Sequence, residues 1–237
     1  MNVLTRNDLK HEWQVSPTEA RTIQDRLRAA VISKCEVDQV HRVAGVDVGF
    51  EDGGRTTRAV VASLSFPELE LEEYQLARLP TQFPYVPGLL SFREIPAILE
   101  ALKKLSLMPD VLVCDGQGLA HPRRFGVACH LGVLTGVPSI GVAKKRLIGE
   151  HKAVPDQRGA WVYLYDKEEI IGAVLRTRQG VKPVYVSIGH RVDLAFAIDL
   201  VMQCTTRYRL PETTRWADGV ASQRPGWMRR LAQVNIG

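Results

Sequence analysis

No stretch of this sequence is both long and apolar enough to cross a bilayer. The first twenty residues carry charges every few positions and have no apolar secretory core. Cysteine is scarce, and the four present (Cys35, Cys114, Cys129 and Cys204) form no C-x-x-C pair and no zinc-like spacing. Cys114 lies inside the apolar run V-L-V-C, where it reads as a small hydrophobe. A disulfide scaffold and a zinc module are therefore set aside, and a reducing, cytoplasmic setting is expected. Repeats, low-complexity tracts and Gly/Ser linkers are also missing, so residues 1–237 are expected to form a single domain. Charge of one sign is not in large excess. Thirty-one Lys+Arg against 26 Asp+Glu give a formal net charge of +5, a mild attraction for polyanions. What remains, 45% hydrophobic and 24% charged residues, is the composition of a folded chain with a sizeable core.

Periodicity supplies the elements. Ala20, Ile23, Leu27, Ala30 and Val31 share one helical stripe, predicting an N-terminal helix over about 17–34 with Ser16 as its cap. Three strands are expected at 42–50, 58–66 and about 70–79, with Gly53-Gly54 turning the first into the second as an antiparallel meander. A helix at 91–105, a strand at 110–115, a helix at 125–135 and a strand at 138–143 follow. Two or three more strands are expected between Trp161 and Ser187, then a helix from about 192 to 208. Strands that first pair among themselves and then alternate with helices predict an α/β fold. Its mixed central sheet combines the antiparallel meander with parallel strands and carries helices on both faces. The basic tail, about 221–237, reads as a frayed terminus that could touch phosphates.

Chemistry concentrates at a few acids. In V-A-G-V-D-V-G-F, Asp47 shares a strand face with Gly45 and Gly49, and a lone carboxylate there needs a partner or a metal. The flanking glycines leave room for an ion or a phosphodiester to approach; the alternative is an Asp bonded to a neighbouring loop. Asp115 ends V-L-V-C-D-G-Q-G, at a strand terminus of the kind that carries functional groups in open α/β sheets. A dinucleotide fingerprint fails there. Its third glycine position holds His121, and no acid occurs between Gly116 and Gly149. The alternative is a turn Asp bonded to the following amides.

Glu94 has two readings: the end of an S-x-x-E capping box begun by Ser91, or a carboxylate bordering the sheet-facing side of its helix with Ile98, Leu102 and Leu105. Lys144, ahead of Lys145 and Arg146, is either a solvated strand end or a fixed cation for phosphate charge. His121 can be a proton carrier, a metal ligand or a polar loop residue. In F-P-Y-V-P-G, two prolines stiffen the backbone around Tyr85, which suits a stacking wedge between bases or a ring packed under a loop.

Together V-A-G-V-D, P-Y-V-P-G-L-L-S-F-R-E, D-G-Q-G-L-A-H-P-R-R-F-G and G-V-A-K-K-R-L resemble the endonuclease V family of the ribonuclease H-like superfamily. V-S-I-G-H-R-V-D-L and R-Y-R-L-P-E-T-T-R-W-A-D extend the likeness over about residues 40–220. The T-T before Arg215 departs from the P-T of the family pattern, which touches only local loop geometry. The resemblance implies a ribonuclease H-like sheet and a metal-dependent DNA repair endonuclease acting on deoxyinosine. It makes Asp47 and Asp115 ligands of Mg²⁺, for which Mn²⁺ substitutes, and Glu94 a further active-site carboxylate. Lys144 and His121 become catalytic or phosphate-contacting groups, Tyr85 the wedge, and Gly88 and Gly126 walls of the base pocket. Asp218 is implied as another acid at the site. The implied partner is deoxyinosine-containing DNA, with inosine-containing RNA as the alternative; no membrane or protein partner is indicated. Rival readings are another ribonuclease H-like nuclease, such as a junction resolvase or an inosine-specific ribonuclease, and a non-catalytic binding protein. The set of acids argues against the last, because a pure binder of a polyanion gains nothing from clustered carboxylates.

Overall fold

The computed structural model describes residues 9–234. Among them, eight strands join in one sheet: β1 (Arg42–Glu51), β2 (Thr56–Ser65), β3 (Leu71–Pro80), β4 (Val111–Cys114), β5 (Ser139–Ala143), β6 (Trp161–Asp166), β7 (Glu169–Leu175) and β8 (Val184–His190). Their spatial order is β3-β2-β1-β4-β5-β8-β7-β6. The expected meander is there, with β1, β2 and β3 pairing antiparallel. Next to it, β1, β4 and β5 run parallel, and β5, β8, β7 and β6 return to antiparallel pairing. The parallel steps are bridged by α2 (Leu90–Leu102) and α3 (Val127–Thr135). The central strands β4 and β5 are buried along their whole length, which is why they read as unbroken apolar runs.

The period of two along β1 divides the core into two layers. Ala44 and Val46 face α2 and α3, packing with Ile95, Ile98, Leu112 and Leu131. Val43 faces the other layer with Val60, Val113, Val142 and Val186. That second layer is roofed by α4 (Leu194–Gln203), α5 (Glu212–Ala221) and α6 (Pro225–Val234). The N-terminal helix α1 (Pro17–Leu27) starts at a full capping box, in which Ser16 and Glu19 bond each other's backbone N–H. It is shorter than the expected 17–34. After Leu27 the chain tightens into a 3-10 turn at Arg28–Ala30, and Ala30 in that turn and Val31 beyond it, in extended backbone, still pack against Phe125 and Cys129.

Two expectations are corrected. The tail from Ala221 is not frayed through Val234: α6 forms there, Pro225 opens it, and Trp227 stacks edge-on against Trp216 at 4.9 Å. The helix α5 was hidden because E-T-T-R-W-A-D-G-V-A contains two threonines and a glycine, poor helix formers whose helicity here follows from burial of Thr213, Thr214, Trp216 and Ala217. The glycines beside Asp47 do not make room for an ion. A β-carbon on Gly45 would lie within 1.9 Å of the Thr213 carbonyl oxygen, and one on Gly49 within 2.7 Å of that of Ala221. The space is filled by α5, which runs along β1.

Gly45→Ala should therefore destabilise the fold by at least about 1–3 kcal/mol, the range of core overpacking. Gly226→Ala, whose new methyl meets nothing within 4 Å, should be neutral or stabilise α6 by up to about 1 kcal/mol. Urea midpoints of the two variants check this; equal stability of Gly45→Ala and the parent chain would contradict the packing.

Candidate active site

The parallel register of β1 and β4 pairs Val46 with Cys114. Asp47 and Asp115 follow those partners directly, so the two acids stand side by side where β4 ends and β1 continues. The Asp115 N–H donates to the Val46 carbonyl at 3.0 Å, fixing the step between the strands. Glu94 comes from the opposite layer, on the second turn of α2. Its capping-box reading does not survive. The helix begins after Leu89, Ser91 is already inside it, and the Ser91 hydroxyl meets His130 Nδ1 at 3.0 Å.

These carboxylates sense one another. Burial, and then the charge of Asp115, raise the pKa of Asp47 to about 7. Burial, and then the charges of Asp47 and Asp115, raise that of Glu94 to about 8. The Lys144 ammonium, at the end of β5, bonds Asp115 Oδ2 and lies 4.0 Å from Asp218 Oδ1. Asp218 projects from α5, and Arg224 bonds its other oxygen. The donors are hard oxygens, which suits Mg²⁺ or Mn²⁺. Among the described residues no three His, Cys, Asp or Glu side chains form a closed cage. Mg²⁺ that also contacts a phosphate is usually held by one or two protein carboxylates, which Asp47 and Asp115 would supply.

A pocket of about 360 Å³ opens beside the acids, lined by Tyr85, Gly88, Glu94, Asp115, His121 and Gly126 among others. Tyr85 is 68% exposed at its rim, on a loop anchored underneath by buried Phe83 and Leu89. The loop-packed alternative for this ring is thereby excluded. Gly88 turns with φ +77°, which favours glycine, and Gly126 caps α3. His121 is buried, its Nε2 at 3.0 Å from the Gly88 carbonyl and its Nδ1 accepting the Arg123 N–H at 3.2 Å. Burial first, then Arg123, push its pKa down to about 4. His121 is therefore a neutral brace for the Gly88 turn. Asp47, Lys144 and Asp218 do not line this pocket; Lys144 and Asp218 line a neighbouring hollow.

Two residues of the pocket escaped the sequence reading. Gln24, 1% exposed, donates to the carbonyls of Gly88 and Phe125, both at 3.2 Å, and its own oxygen accepts from Arg123 Nε at 2.6 Å. It ties two pocket loops to α1, and the available signal was a glutamine between Ala20 and Leu27 on an apolar stripe. Gln117 donates its amide N–H to the Lys145 carbonyl at 3.0 Å, while its buried Oε1 has no hydrogen-bond partner.

A mixed sheet with an antiparallel meander, two aspartates at adjoining parallel strand ends and a helix-borne glutamate define a ribonuclease H-like nuclease. The Endonuclease V family pattern matches residues 25–219, and the chain belongs to that family. It is 59% identical over 216 residues to an Endonuclease V of Rippkaea orientalis, covering 91% of this chain and 94% of the relative. The crystal structure of Endonuclease V from Streptomyces avermitilis superposes with a TM-score of 0.85 at 44% identity, covering 94% of this chain and 96% of that one. Endonuclease V of Ciona intestinalis, solved with a 23mer DNA containing an inosine followed by a ribo-adenosine, superposes with a TM-score of 0.75. It is 27% identical, with 88% of this chain and 98% of that one covered.

The His121 environment has a pH signature. Its folded pKa lies below the ordinary imidazole value of 6.5, so between the two the unfolded chain binds a proton that the native one refuses. The contribution of His121 is full above about pH 6.5 and falls by up to about 3 kcal/mol as pH drops to about 4, whereas Asp47 and Glu94, whose values are raised, act in the opposite sense over the same range. The stability difference between the parent and His121→Asn, measured by urea unfolding, should therefore grow in the parent's favour from about pH 4 to about 6.5; a difference independent of pH would contradict the buried neutral ring.

Proposed function

We propose that the protein is a magnesium-dependent DNA repair endonuclease. It recognises deoxyinosine and hydrolyses the second phosphodiester on its 3′ side, leaving a 3′-hydroxyl and a 5′-phosphate. The observation that carries this reading is the juxtaposition of Asp47 and Asp115 across the β1–β4 register, beside a pocket of base size. The inosine-containing DNA in the Ciona relative supports the substrate class, and inosine in RNA is the alternative substrate.

Asp47 and Asp115 would hold the metal ion, and Mn²⁺ would serve in its place. When bound, such an ion polarises the phosphate, makes hydroxide available near neutral pH and balances charge on the leaving 3′-oxygen. Glu94 and Asp47, whose proton affinities are raised by burial and by neighbouring acids, ionise readily when positive charge enters the site. Lys144, fixed by Asp115, supplies a preorganised cation for charge growing on the phosphate. Tyr85 fills the gap left in the stack when the lesion turns into the pocket, a step that costs least for a weakly paired inosine. Inside, the side-chain space of Gly126 is taken up by the Gln117 carbonyl, Gly88 turns at a positive φ, and the Gln117 amide lies in the wall with its buried Oε1 unpartnered. Hypoxanthine offers an N1–H donor where adenine has an acceptor, so such a wall separates the two bases. His121 acts by holding Gly88 in place.

Asp47→Ala should lower inosine-directed nicking by about three orders of magnitude or more while gel-shift affinity for the lesion persists. EDTA should abolish nicking by the parent protein and Mg²⁺ restore it. Full activity of Asp47→Ala with added Mg²⁺ would refute the assignment of the acids. Cleavage-site mapping on matched DNA and RNA oligonucleotides, each with one inosine, fixes the bond cut and the preferred sugar. Tyr85→Ala should weaken lesion binding about tenfold, in the range of one lost base–aromatic stack. An affinity equal to the parent's would remove the wedge role.

A further inference from the structure

Next to the acids lies a second concavity of about 390 Å³, to which the assigned functional groups contribute only Lys144 and Asp218. The rest of its wall is Tyr208, Arg209, Leu210, Arg215, Arg224 and Trp227. Four basic side chains thus meet a single acid in one hollow.

The cations are held in place. Arg209 donates to the carbonyls of Lys144 and Pro183 at 2.7 and 2.8 Å, locking the wall to the end of β5. Arg215 lies 3.6 Å above the Tyr208 ring and bonds Glu212 behind the pocket. Arg224 stands at the entry to α6, where its carbonyl accepts the Trp227 N–H at 2.9 Å. The Trp227 indole sits over Gly219 and against Trp216, so docking of α6 on α5 sets where Arg224 points. Its guanidinium is half-exposed and rests on Asp218, an acid already drawn toward Lys144. A fork-shaped cation in that position can exchange a carboxylate for a phosphate.

Lys144, in the wall of this hollow, bonds Asp115, in the wall of the base pocket, so the two concavities adjoin at that ion pair. On the cleavage proposed above, a strand with its inosine in the base pocket would bring the bond to be cut to Asp115 and Lys144 and the next linkage toward the second hollow. We propose that this hollow is a subsite for the nucleic-acid phosphate immediately 3′ to the cleaved bond, with Arg224 as its main contact. The proposal rests on the inosine-directed cleavage described above. Docked on α5, α6 then serves to hold the arginine that keeps the product side of the strand in line.

Cleavage of three inosine oligonucleotides by the parent protein and Arg224→Gln tests it. One is unmodified, one carries a neutral methylphosphonate at the first linkage 3′ to the cut, and one carries it three linkages further on. Arg224→Gln should lower kcat/KM about tenfold on the first and third substrates and leave it unchanged on the second. A merely structural role for Arg224 predicts the same loss on all three, and that result, or no loss on any, overturns the subsite. The parent protein should itself lose about tenfold on the second substrate only, which decides the matter even if Arg224→Gln fails to fold. Failure of the parent to cut the unmodified oligonucleotide would instead overturn the inosine reading and the subsite with it.

Discussion

Electrostatic repulsion among Asp47, Asp115 and Glu94 is the constraint around which this molecule is organised. Left in water, three carboxylates would move apart. Here the β1–β4 register fixes two of them side by side, and α2 brings the third from the opposite layer. The fold meets the cost by raising proton affinity, to about 7 at Asp47 and about 8 at Glu94. Burial, the larger cause, and neighbouring charge together leave these carboxylates short of positive charge. Lys144 on Asp115 and Arg224 on Asp218 answer part of that demand from the protein itself.

The site has two faces because the sheet has two layers. From the α2–α3 layer come Glu94, the Gly88 turn braced by His121, Arg123 and Gln24, and the cap of α3 at Gly126. From the α4–α6 layer come Asp218 and Arg224. Gly45 is the hinge of this arrangement in a packing sense. With no side chain there, α5 lies directly on β1 and carries Asp218 toward Lys144. Stability and chemistry therefore share the same contact.

Much of this was legible in the sequence. The three meander strands, the parallel strand ending in Asp115 and the strand before Lys144 were visible because period-two patterns and apolar runs are set by burial on one or both sheet faces. Asp47 and Asp115 stood out as acids in apolar surroundings. Other features were not legible, because they depend on contacts between distant segments. Ser91 and Glu94 have the spacing of a capping box, yet the helix starts one residue before Ser91, and the Ser91 hydroxyl is taken by His130. Gly45 and Gly49 signal close approach, but nothing local says that the visitor is a helix from the far end of the chain. The helix α5 is formed by tertiary packing over a sequence of weak helical propensity, and α6 docks on it through Trp227 against Trp216. Gln24 lies on the amphipathic stripe of α1, and only the distant carbonyls it bonds, those of Gly88 and Phe125, make it the tie between two pocket loops.

Direct observation of a cation between the strand ends tests the account most closely. Crystals of the protein with an inosine-containing oligonucleotide and Mn²⁺ should show an anomalous peak about 2.1 Å from carboxylate oxygens of both Asp47 and Asp115. A bound oligonucleotide with Mn²⁺ located elsewhere, or with Asp47 turned away to a protein partner, would contradict it.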